Sequence, residues 1–168
     1  GNSNVAVGTS ALLSNTIGTN NTAVGHQSLY SSTTGVNNIA VGFRALLNNT
    51  GGYNNTAIGI NALCASSTAR SNTAIGYNAL KNNIAEGNVA VGQGAMQFTT
   101  NGSSNVAVGL FSMYANTTGY NNVAMGRYSL YKNTTGKCNT AVGFCSLKSN
   151  TTGLNNTAVG TCALLSNT

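Results

Sequence analysis

Asn20-Asn21-Thr22-Ala23-Val24-Gly25 returns as Asn54-Asn55-Thr56-Ala57-Ile58-Gly59 and again as Asn155-Asn156-Thr157-Ala158-Val159-Gly160. The tripeptide Ala-(Val/Ile/Met)-Gly within it occurs ten times, closing on Gly8, Gly25, Gly42, Gly59, Gly76, Gly92, Gly109, Gly126, Gly143 and Gly160. The interval is 17 residues throughout, except for one step of 16 from Gly76 to Gly92. Ten copies at one period define a repeat architecture, in which each unit stacks on its neighbours. The working consensus is NNTAVGxxALxxNTTGx.

Each column of the repeat has its own chemistry. Counted from the glycine, position −4 is Asn in every copy: Asn4, Asn21, Asn38, Asn55, Asn72, Asn88, Asn105, Asn122, Asn139 and Asn156. Position −2 is Ala in every copy: Ala6, Ala23, Ala40, Ala57, Ala74, Ala90, Ala107, Ala124, Ala141 and Ala158. Thr, Val or Ile stands at −3 (Val5, Thr22, Ile39), and Val, Ile or Met at −1 (Val7, Ile58, Met125). Ala or Ser follows at +3 (Ala11, Ser28), and Leu or Met at +4 (Leu12, Leu29, Met96, Leu164). The remainder is mostly Ser, Asn, Thr and Gly, often as Asn-Thr-Thr-Gly at 116–119, 133–136 and 150–153.

Asn-Thr-Ala-Val alternates with period two and is β-branched, which predicts a short strand. Gly then breaks it, and Asn-Thr-Thr-Gly is turn chemistry. A second extended segment is expected around Ala-Leu. No 3.6-residue period is sustained, so helices are excluded. The expected fold is all-β: a parallel β-solenoid, or β-roll, of ten coils of about 17 residues, forming one domain over residues 1–168 without a cap at either end. Ten coils at roughly 4.8 Å each make a rod of about 50 Å.

Stacking turns every column into a ladder. The Asn column is expected to bond amide to amide along the axis, as in cross-β assemblies. The −3 and −1 columns are expected to fill the coil together with Leu. Ala at −2 then points the other way and forms a flat apolar stripe. Two readings of that stripe compete: a tight outer face, or a contact with a neighbouring chain. The second is preferred, because an exposed strip of that length is a liability.

The hexapeptides at 20–25 and 155–160 resemble the Asn-Ser-Val-Ala-Ile-Gly motif of trimeric autotransporter adhesin heads, and NTAVGxxAL is similar to repeats in phage tail fibres and large-virus surface proteins. The resemblance spans the whole chain. It implies a left-handed, trimeric parallel β-roll that binds host matrix or surfaces, with Thr22 and Val24 pointing into the coil and Ala23 towards the trimer axis. The adhesin repeat is shorter than 17 residues, the Asn-Thr-Thr-Gly turn is extra, and no coiled-coil stalk or membrane anchor accompanies these residues. Handedness and chain number therefore rest on the resemblance alone.

Only 5% of residues are charged, against about 25% in an ordinary domain. Pro and Trp are absent. Such a chain builds a thin core along an axis more readily than one thick core. Seven Lys and Arg face the single acid, Glu86, for a net charge of +6. A basic balance suits acidic partners, or simply solubility. The densest basic stretch, Arg127, Lys132, Lys137 and Lys148, is spread over two repeats, and no basic run of the nucleic-acid-binding kind is present. No stretch approaches the ~20 apolar residues of a membrane span, so neither nucleic acid nor membrane insertion is expected.

His26 is the only His, in a variable column, with no acid near in sequence to orient it. A triad or carboxylate pair is thus not supported, and an enzyme, a cofactor and a metal site are not expected. Cys64, Cys138, Cys145 and Cys162 match no zinc spacing. Cys145 and Cys162 share a column in adjacent repeats. Their backbones should lie about 5 Å apart, within disulfide range, although parallel Cβ vectors oppose the bond. Asn-x-Ser/Thr sequons begin at Asn20, Asn48, Asn54, Asn101, Asn116, Asn133, Asn150 and Asn155. Of these, Asn116, Asn133 and Asn150, in the turns, are the candidate glycosylation acceptors, unless they are simply turn residues.

The function expected is a structural component of an extracellular fibre, filament or adhesin shaft at a cell or virion surface. Its partners are copies of itself, stacked end to end or laterally. Joined ends fit this, since the interval from Gly160 through Thr168 to the next Gly8 would be 16 residues, the step already seen between Gly76 and Gly92. The alternative is a module binding surface glycans through variable-column residues such as Tyr53, Tyr77, Tyr120 and Tyr128. A remote one is ice binding by Thr117, Thr134 and Thr151.

Overall fold

One residue triplet per repeat is extended. The strands are β1 (Val5–Val7), β2 (Thr22–Val24), β3 (Ile39–Val41), β4 (Thr56–Ile58), β5 (Thr73–Ile75), β6 (Val89–Val91), β7 (Val106–Val108), β8 (Val123–Met125), β9 (Thr140–Val142) and β10 (Thr157–Val159). The structure, a computed structural model, describes residues 1–168. All ten strands pair parallel in one sheet, in sequence order. Each pairs in the register of the repeat, Ala6 with Ala23 and Ala23 with Ala40. The shortened repeat keeps this register, with Ala74 opposite Ala90. The molecule is a parallel β-solenoid.

The Ala-Leu segment is not a second strand. It is turn backbone: the carbonyl of Gly25 accepts from Ser28 N–H at 3.3 Å, and that of Leu29 from Ser32 N–H at 3.1 Å. Three residues per coil, at −5, +2 and +4, adopt positive φ, as in Asn54 (57°), Asn61 (56°) and Leu63 (51°). Twenty-eight of these corner residues are not glycine. A left-handed Leu costs on the order of 1–2 kcal/mol. In Leu29, Leu46, Leu63, Leu80, Leu130 and Leu147 burial and an axial bond compensate, as when Leu46 N–H donates to Ala62 O at 3.0 Å. The turns are therefore laddered as thoroughly as the strands. Of 111 backbone hydrogen bonds, only 18 lie within the strands, and most of the other 93 join one coil to the next.

The strand faces are reversed relative to the sequence reading and to the orientation that the resemblance implied. Ala23, Ala40, Ala57, Ala74, Ala90, Ala107, Ala124 and Ala141 are fully buried within their own chain, where they pack with the +3 and +4 columns. Ala158 is buried as well, and Ala6, in the first coil, is exposed. The Ala column is thus the inner wall, not an inter-chain stripe. Thr22 and Val24 lie on the outside, half-buried. The reason is steric. The interior is only wide enough for Leu or Met facing small residues, and added methyls at −2 would overpack it in every coil.

The interior is also polar. Asn38 Nδ2 donates to Asn21 Oδ1 (3.1 Å) and to Gly52 O (2.8 Å), while its Oδ1 accepts from Asn55 N–H (3.0 Å) and Nδ2 (3.1 Å). The same pattern recurs along the −4 column, at Asn105 and Asn122 for example. A second ladder, unforeseen in the sequence, runs through +7. Asn133 Nδ2 donates to Asn116 Oδ1 (3.0 Å), Asn150 to Asn133 (2.9 Å) and Asn167 to Asn150 (2.9 Å). This ladder is interrupted at Ser32, Ser66 and Thr99, whose hydroxyls, like Asn15 Oδ1, are buried without a partner.

Position +10 controls what +7 can be. A Cβ at Gly52 would stand 2.2 Å from Asn49 Oδ1. Where +10 is Ala69, +7 is accordingly Ser66. Asn83 and Ala85 coexist in the shortened repeat because the missing residue falls between them. Ser32→Asn, beneath Gly35, should therefore donate to the orphaned Asn15 Oδ1 and raise stability by about 1 kcal/mol. Ser66→Asn alone should lower stability, and adding Ala69→Gly should reverse the loss. Urea melts of the three variants check this.

Candidate functional site

The outward face of the sheet is formed by the −3 and −1 columns. None of its side chains is charged, and β-branched aliphatics and Thr dominate it. Ile39, Ile58, Ile75 and Met125 are 37–45% exposed. This continuous apolar strip runs the length of the sheet. The case for a partner on an exposed apolar stripe therefore passes from the Ala column to these two columns.

The residues singled out for chemistry are scattered. His26 is exposed and stacks on Phe43 (5.6 Å between centroids, 8° between planes), and the Arg44 guanidinium lies 4.9 Å from the same ring. Glu86 is paired with Arg70, whose Nη1 also donates to Tyr53 Oη at 3.0 Å. The hydrogen bond from Arg70 holds the Glu86 carboxyl below the usual carboxylate range and raises the Arg70 guanidinium above its own. Both partners are solvent-exposed, so the pair adds little stability. It borders a shallow notch lined by Thr68, Arg70, Ile84, Glu86 and Ser103, where the shortened repeat lacks one residue. Tyr53, Tyr77, Tyr120 and Tyr128 do not converge, since they occupy three different columns. Tyr53 meets Arg70, Tyr120 meets Lys137, and Tyr128 joins other rings.

The candidate disulfide is not formed. All four cysteines are free, with Cys145 buried and Cys162 exposed. Both carry the same φ, near +55°, so stacking aims their Cβ atoms in parallel rather than at each other. Burial raises the Cys64 thiol pKa. Asn116, Asn133 and Asn150 are not surface acceptors. They are fully buried rungs of the +7 ladder, whereas Asn20, Asn48, Asn54, Asn101 and Asn155 are exposed. Thr117 and Thr134 point their hydroxyls at the next coil, donating to Thr134 O and Thr151 O at 3.1 Å each.

By fold the chain is a parallel β-solenoid, with an uncharged sheet face that runs along all ten strands. No protein-family model matches it, and comparison with curated proteins and with solved structures gave no match either.

Proposed function

We propose that the chain is a shaft segment of an extracellular structural fibre or adhesin, with copies packed side by side through the outward face of the sheet. The carrying observation is the uncharged apolar strip, repeated in register by all ten strands. A strip this long and flat favours aggregation unless covered. A parallel copy presents ridges at the same axial spacing, so contact made at one coil is repeated at all. A partner without this period cannot match it along the rod. The resemblance to trimeric adhesin heads supports a multichain assembly and a place at a cell or virion surface.

Light scattering and electron microscopy test this. The wild-type chain should form a discrete oligomer of side-by-side rods. Ile58→Lys with Val108→Lys should yield monomers that keep the wild-type circular dichroism spectrum, because both side chains lie outside the coil. A wild-type chain that stays monomeric at high concentration overturns the reading.

A further inference from the structure

The chain has four Phe and seven Tyr, and five of these eleven rings gather on three consecutive coils. Phe98 meets Tyr114 edge-on at 4.9 Å, and Tyr114 meets Phe111 at 5.2 Å. Phe111 stacks along the axis on Tyr128 at 5.9 Å, and Tyr114 on Tyr131 at 5.4 Å. Tyr128 and Tyr131 close the network edge to face at 5.4 Å. None of the five is buried. Cations line the same ridge. The Arg127 guanidinium lies 4.8 Å and the Lys148 ammonium 5.4 Å from the Tyr128 centroid, and exposed Lys132 follows Tyr131. No acid offsets them, since the only one, Glu86, is engaged by Arg70.

The fold does not require these rings. The +2 column, which holds Phe111 and Tyr128, elsewhere holds Ser10, Gln27, Asn61 and Asn78 in the same left-handed conformation. The +5 column, which holds Tyr114 and Tyr131, elsewhere holds Leu47, Lys81 and Gln97. The concentration of rings and cations on this one stretch is therefore a local departure from what stacking needs.

We propose that the ridge of Phe111, Tyr114, Tyr128 and Tyr131, with Arg127 and Lys148, binds an acidic polysaccharide. Sugar C–H groups pack against the exposed ring edges, the Tyr hydroxyls bond to sugar hydroxyls, and carboxylate or sulfate groups pair with the cations. The surface is an open ridge and not an enclosed pocket, which suits a polymer lying across it better than a small molecule. Nucleic acid fits less well. Bases need an open ring face to stack on, and here the axial ring faces already meet each other at 5.4 and 5.9 Å. This reading does not depend on lateral assembly of the rod.

The test is biolayer interferometry of the whole chain on immobilised heparin, polygalacturonate and neutral dextran at about 0.15 M salt. The wild-type should bind the two acidic polymers and not dextran. Tyr128→Asn with Tyr131→Leu, and separately Arg127→Gln with Lys148→Gln, should each weaken binding about tenfold. Each replacement is a residue that the same column carries elsewhere, and circular dichroism checks that the fold persists. Arg44→Gln, four coils below the ridge, with Lys137→Gln, in the +11 column against Tyr120, removes equal charge and should leave binding unchanged. Absence of binding to either acidic polymer overturns the proposal. So does equal loss from the two charge pairs, retained affinity in a folded Tyr pair, or displacement by single-stranded DNA at lower concentration than by heparin.

Discussion

Gly59→Ala should abolish stable folding, with a loss of about 3–5 kcal/mol. Gly59 has φ +132°, well outside the left-handed well that L residues reach at roughly +50 to +70°. A Cβ there would stand 2.5 Å from Gly76 O and 2.7 Å from Gly76 C. The obstacle is backbone of the next coil, held by its own axial bonds, such as Gly76 N–H to Ile58 O at 2.8 Å. It cannot withdraw without opening the ladder. Gly87 supplies the contrast. Its φ of 72° lies close to that well, its column elsewhere holds Asn, and a Cβ would meet nothing closer than 3.7 Å. Gly87→Asn should therefore melt with the wild-type or slightly above it. Urea denaturation followed by circular dichroism distinguishes the pair. A Gly59→Ala chain as stable as wild-type would refute the account of the stack.

Asn105→Ala should be nearly as damaging, at about 3–5 kcal/mol. The side chain donates to Asn88 Oδ1 at 3.2 Å and Gly119 O at 2.9 Å, and accepts from Asn122 N–H at 3.0 Å and Asn122 Nδ2 at 3.1 Å. Truncation takes the acceptor from the buried Asn122 N–H and the side-chain donor from Gly119 O. Asn105→Asp restores the acceptor but loses both donors and buries an acid, so it should not rescue the variant. Exposed Asn101, whose side chain makes no hydrogen bond, should tolerate Ala with little change. Chemical denaturation of the three variants would show whether the cost belongs to the ladder or to Asn in general.

These two columns were the most legible features of the chain. An invariant Gly at a fixed interval reads directly as a backbone position with no room for a side chain, and an invariant Asn beside it reads as a ladder. The parallel in-register stack follows from the period. The sidedness of the strand was not legible. Alternation in Thr22-Ala23-Val24 separates two faces without saying which is inside. The larger residues look like core until the width of the coil is known. The Leu corners were hidden for a different reason. Leu63 has no intrinsic preference for φ +51°, so only packing places it there. The +7 ladder left a fainter trace. Asn fills seven of its ten positions, but Asn-Thr-Thr-Gly is so ordinary a turn sequence that Asn116, Asn133 and Asn150 passed for surface residues. The pairing of Ser66 with Ala69 was the clue that this Asn faces inward.

The register carried through the shortened repeat bears on how such a rod changes length. Losing one residue between Ile84 and Ala85 leaves the strands on either side aligned, with Ala74 still opposite Ala90, and the defect is confined to a corner notch. Losing or gaining a whole seventeen-residue unit disturbs even less, because the invariant Asn, Ala and Gly columns then still meet their own kind. The molecule thus behaves as a ruler graduated in single coils, and its reach can evolve in increments of about 4.8 Å with no redesign of the core.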